Sequence, residues 1–82
     1  MNIQEKISYI NALAIEISHT GVAFVKTAYN GIRNEFIVYV ESPAPVSTYG
    51  ETALLGKPGA IDQLNGMIHT LLRIRRAGGI SE

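Results

Sequence analysis

The dipeptide Asn30-Gly31 lies between two β-rich runs, Val22–Tyr29 (VAFVKTAY) and Phe36–Glu41 (FIVYVE). Asn-Gly flanked by such runs is the strongest short-range hairpin signal, because a two-residue type I′ turn needs positive φ at both central positions. A turn centred there pairs Tyr29 with Ile32, Lys26 with Glu35 and Val25 with Phe36. That register sets opposite charges across the ladder. Alternation then sorts the side chains into two faces. One carries Val22, Phe24, Lys26, Ala28, Arg33, Glu35, Ile37 and Tyr39. The other carries Ala23, Val25, Thr27, Tyr29, Ile32, Asn34, Phe36, Val38 and Val40. Both are apolar toward the open end of the hairpin, whereas a half-solvated hairpin shows one polar face. Something must therefore cover each side.

The flanking segments supply one cover. Over residues 2–18, Ile3, Ile7, Ile10, Leu13, Ala14 and Ile17 recur at helical spacing, with Gly21 placed as a C-terminal stop. Ile15 points away from this stripe. A strand starting at Leu13 is the competing reading, since Leu13, Ile15 and Ile17 also alternate. Over residues 60–77, Ile61, Leu64, Met67, Ile68, Leu71, Leu72 and Ile74 form a broad apolar side, stopped by Gly78-Gly79. Asp62 near the start and three arginines near the end suit the helix dipole. Between hairpin and second helix runs SPAPVSTYGETALLGKP, residues 42–58, where Pro43 and Pro45 bar a central strand. A short third strand over Thr52–Leu55 would cut the loop to Ser42–Glu51. The expected fold is α+β, a single domain over 1–82: N-terminal helix, antiparallel hairpin with an optional third strand, C-terminal helix, both helices on one face of a small sheet.

The second cover points to a partner. The chain has 82 residues, 46% hydrophobic and only 17% charged, and no cysteine. A chain this short has a thin core, and oligomerisation is a common support where disulfides are absent. A homo-oligomer, most simply a two-fold dimer, is expected. Zero formal net charge gives no general attraction to nucleic acid. The longest apolar run, Phe36–Val40, is far too short to span a membrane, and MNIQEK lacks the basic start and apolar core of a signal peptide. A cytoplasmic location away from membranes follows as the expectation.

Residues 54–64, LLGKPGAIDQL, hold the most site-like stretch. A helix N-terminus offers free N–H groups to an anion, Lys57 would add charge, and Gly59 and Ala60 would expose backbone. The order is not that of a phosphate-binding P-loop, in which the lysine follows the second glycine and precedes Ser or Thr. A plain helix start, with Pro58 and Gly59 shaping the turn, is the competing reading. His69, Arg73 and Arg76 share one helical side and form, with Arg75, a basic patch suited to a phosphate or an acidic surface; a solvated last turn is the alternative. In the Ser42–Thr52 loop, Tyr49 could anchor a partner or pack back on the sheet.

Glu16 and His19 have the spacing of half a di-iron ligand set, but no second copy exists, and no metal or other cofactor is expected. No GxSxG or similar element arranges a nucleophile, so no enzymatic activity is expected. In size and in lacking a catalytic motif the chain is similar to many small phage-encoded inhibitors, a comparison of class that no residue motif carries. The reading is a protein-binding module, an inhibitor or adaptor acting as a homo-oligomer on a protein partner. The alternative is a binder of a phosphorylated or nucleotide-like compound built from Tyr49, Lys57, Gly59, Ala60, His69, Arg73 and Arg76.

Overall fold

The computed structural model describes residues 2–21, 23–41 and 48–76. The order is α1 (Ile3–Thr20), β1 (Phe24–Asn30), β2 (Glu35–Glu41), β3 (Thr48–Leu54) and α2 (Ala60–Arg76). The strands form one antiparallel sheet in the order β1-β2-β3. This is the expected α+β arrangement.

Helix α1 starts in a capping box. Asn2 Oδ1 accepts from the Glu5 N–H at 2.8 Å, and Glu5 Oε1 accepts from the Asn2 N–H at 2.9 Å. This satisfies two donors at the helix entrance, one of them an orphan of the first turn. The helix runs on to Thr20 and closes at Gly21, whose left-handed backbone (φ 79°) lets its N–H reach Ser18 O. Gly21 is thus the stop that its sequence position suggests, and Leu13 to Ile17 is helix, not strand. Ile15 is 66% exposed, as its place off the stripe requires.

The hairpin turn is not the expected one. β1 and β2 are joined by four residues, 31–34, and each β1 residue pairs four positions further along β2 than an Asn30-Gly31 turn would give. Tyr29 faces Phe36, Val25 faces Val40, and Lys26 faces Tyr39 in place of Glu35. The cause is the Asn30 side chain. Its Oδ1 accepts from the N–H groups of Ile32 (3.0 Å) and Arg33 (3.3 Å), an Asx-type closure that leaves Asn30 in the strand. The left-handed residue is Asn34 (φ 53°). A four-residue displacement is even, so the side chains of the paired residues keep their faces, while Ile32, Arg33 and Asn34, assigned to the faces above, fall in the turn.

The third strand is also longer than expected, Thr48–Leu54 against Thr52–Leu55, and pairs with β2 along its whole length. Gly50 sits opposite Tyr39, whose ring lies over it so closely that a Cβ there would come within 3.1 Å. The ring shields the strand where glycine offers no side chain. Residues 42–47 and the proposed stop Gly78-Gly79 lie outside the described residues.

Both helices pack on one face of the sheet. Ile10, Leu13 and Ile17 of α1 and Leu64, Met67, Ile68 and Leu71 of α2 meet Phe36, Val38, Val40 and Ala53. Among the described residues no polar or charged side chain is buried. Ile61, counted on the apolar side of α2, is 45% exposed, whereas Ala60 beside it is buried.

Each helix also reaches a sheet edge. Val25 N–H donates to Ser18 Oγ (3.0 Å), and Leu54 N–H donates to Gln63 Oε1 (3.0 Å). Both amides belong to residues that point away from β2 in the alternating antiparallel pattern.

Candidate binding surface

Tyr49 is a strand residue. It lies opposite Val40 on the helix-covered side of β3 and is half-buried, packed against the core. Its hydroxyl donates to Glu51 Oε1, and Thr70 and Arg73 of α2 stand close by. Burial pushes the Tyr49 phenol above its ordinary value, and the Glu51 carboxylate adds to this by accepting the proton and by its charge. The Thr70 hydroxyl and the Arg73 guanidinium act in the opposite direction. Tyr49 therefore packs back on the sheet, its hydroxyl engaged within the chain.

The Lys57–Ala60 turn is a compact helix entrance. Lys57 N–H donates to Leu54 O, Lys57 O accepts from Ala60 N–H, and Gly59 O accepts from Gln63 N–H. The Lys57 side chain is exposed, whereas Ala60 is buried. A Cβ at Gly59 would meet nothing within 4 Å, and its φ is not positive, so neither crowding nor backbone strain demands glycine there.

His69, Arg73 and Arg76 are exposed on the outer side of α2. Arg75 bridges to Glu16 of α1 at 3.1 Å on the surface, a contact of small energetic weight. Ala60 and Arg73 stand thirteen residues apart on one helix, a separation of about 20 Å at 1.5 Å per residue. The turn and the basic patch therefore do not converge within one chain. Tyr49 and Arg73 are the proposed site residues that the fold brings together.

A groove of about 600 Å³ runs between α1 and β1, lined by Asn11, Ala14, Ile15, Ser18, His19, Val25 and Thr27. It is braced by Thr27 Oγ1 donating to Asn11 Oδ1 (2.8 Å). Among the described residues no three His, Cys, Asp or Glu side chains gather as a metal site, and no helix is long and apolar enough to cross a membrane.

Among the described residues, no helix or strand packs on the sheet face opposite the helices. Phe24, Lys26 and Ala28 of β1, Glu35, Ile37, Tyr39 and Glu41 of β2, and Thr52 and Leu54 of β3 share it by register. Phe24 is 51% exposed, Tyr39 55% and Leu54 38%, while Ile37 is half-buried between neighbours. They run diagonally across the face, from Phe24 at one corner through Tyr39 and Ile37 to Leu54 at the other, and exposed apolar surface shared with charged residues is a mark of interaction sites. None of these residues was singled out above as a site. The signal was present in the two-sided apolar pattern of the hairpin, which requires the second face to end in contact or in solvent.

Comparison of the chain with protein-family models, with curated proteins and with solved structures finds no match.

Proposed function

We propose that the protein is a non-enzymatic protein-binding module, an inhibitor or adaptor, whose contact surface is the open face of its sheet. The observation that carries this reading is the exposure of Phe24, Tyr39 and Leu54 together on one uncovered sheet face. Tyr39 and Ile37 lie mid-length on the central strand, with Phe24 and Leu54 at diagonally opposite corners of the same face, and aromatic side chains are enriched among the anchors of protein interfaces. The face is built on three paired strands, so its side chains are held in fixed register and little ordering is needed on contact.

The ligand-binding alternative has less support. Its cationic groups stand at the two ends of α2, so a phosphate touching both Lys57 and Arg73 would have to lie between two chains.

The test is affinity capture from native cells with the intact chain as bait, beside Phe24→Asp/Tyr39→Asp and Lys57→Ala/Arg73→Ala. The open-face pair should lose the captured protein and the α2 pair should retain it. Retention by the open-face pair, or loss only in the α2 pair, would sink this assignment.

A further inference from the structure

We infer that the groove between α1 and β1 is a second docking site, which takes a short uncharged segment of a partner protein as a fourth strand along the free edge of β1. It lies apart from the open face and does not depend on it. β1 is an edge strand, since the sheet order is β1-β2-β3. Val25 N–H points away from β2, toward Ser18 Oγ. By alternation the amides of Thr27 and Tyr29 point the same way. Among the described residues, nothing within the chain accepts from these two amides. Outward amides two residues apart, each with its carbonyl, are the groups that an added strand pairs with.

The edge opens into the groove, which gives the added strand room for side chains. The volume of about 600 Å³ lies within the range of binding sites. Val25 and Thr27 form the strand wall, and Ala14, Ile15 and His19 form the helix wall. Ala14 is buried, whereas Ile15 is 66% exposed above it. An added strand would lie about 4.8 Å outside β1. Its residues opposite Val25 and Thr27 share their side of the sheet and face the groove, while the residue between them faces away.

Two features decide what fits. No Asp, Glu, Lys or Arg lines the groove, so a charged side chain entering it would lose water without gaining a partner. Ile15, Ala14 and Val25 suit an apolar one. Ser18 decides the length. By holding Val25 N–H it closes that end of the edge. A full edge strand of another folded chain must break this bond, whereas a short segment paired at Thr27 and Tyr29 leaves it intact. The occupant is therefore a short extended segment with uncharged, apolar residues at alternate positions.

The experiment selects heptapeptides from a random phage-displayed library on the intact folded chain, then measures the selected sequences as synthetic peptides by titration and amide NMR. They should carry uncharged apolar residues at alternate positions and shift the Ala14 and Val25 signals. They should slow hydrogen exchange at Thr27 and Tyr29 by about tenfold or more. N-methylation of the peptide amides on the bonding edge should weaken binding about tenfold, and N-methylation on the other edge should not. Ile15→Lys, at an exposed position outside the core, should weaken binding several-fold. Phe24→Asp/Tyr39→Asp should leave it unchanged, so the groove and the open face succeed or fail separately. Failure to select any peptide above the bare support would overturn the inference. So would peptides that shift only open-face residues, or binding indifferent to N-methylation of the bonding edge.

Discussion

Val38 and Tyr39 are neighbours in sequence and opposite in environment, and one pair of substitutions tests the sheet assignment at single-residue resolution. Val38 is 0% exposed on the helix side, in a core without buried polar side chains among the described residues; Tyr39 is 55% exposed on the other side. Val38→Thr keeps the volume, the β-branch and the strand preference, so its effect isolates the burial of one hydroxyl. Mutational data place that cost at about 1–3 kcal/mol where no partner is available. For a chain of this size each kcal/mol lowers Tm by roughly 4–8 °C, so Val38→Thr should lower it by about 5–20 °C. Tyr39→Phe removes a hydroxyl from the open face and should stay within about 0.5 kcal/mol. Urea denaturation measures both. If Val38→Thr were neutral, Val38 would not lie in the core, and the β2 register and every face drawn from it would be wrong.

Gly21→Ala should destabilise by about 1 kcal/mol, because φ is positive there and the added Cβ meets nothing within 4 Å, leaving conformational cost alone. Gly21→Asn should cost less, and an Ala variant as stable as the wild type in thermal melts would contradict the left-handed cap. Tyr49 gives an alkaline signature. Its folded phenol holds the proton more tightly than the ordinary value of 10.0, so the unfolded chain ionises first as pH rises. Its contribution is fully present below about pH 10 and is lost as pH climbs through the higher folded value. Tyr49→Phe should flatten that part of the stability profile, and an unchanged slope would show that Tyr49 does not cause it.

The helices were legible because each carries one dominant period and its own punctuation, with Gly21 the clearest mark. The hairpin faces were legible for a different reason. Period-two alternation survives any even displacement of register, so the faces were right although the Lys26–Glu35 pairing was not. The turn was misread because Asn30 acts through its side chain and Asn34 supplies the left-handed residue, a division of labour that the Asn-Gly rule does not see. The third strand hid behind Gly50, whose weakness in a strand is offset by the Tyr39 ring from across the ladder, a contact visible only once β2 and β3 are paired. The expected strand starts only at Thr52, so Tyr49 falls in the loop on the sequence reading, whereas the strand that begins at Thr48 places it on the sheet. The exposed trio Phe24, Tyr39 and Leu54 comes from three different strands, and no local window holds it.

Ser18 and Gln63 bear on how large an assembly can grow. Sheets polymerise sideways when an edge strand offers a row of unused amides to the next chain. At each edge of this sheet one such amide is already taken by a helix side chain, so an arriving strand must first displace it. Lateral growth therefore begins at a disadvantage on both flanks of the sheet.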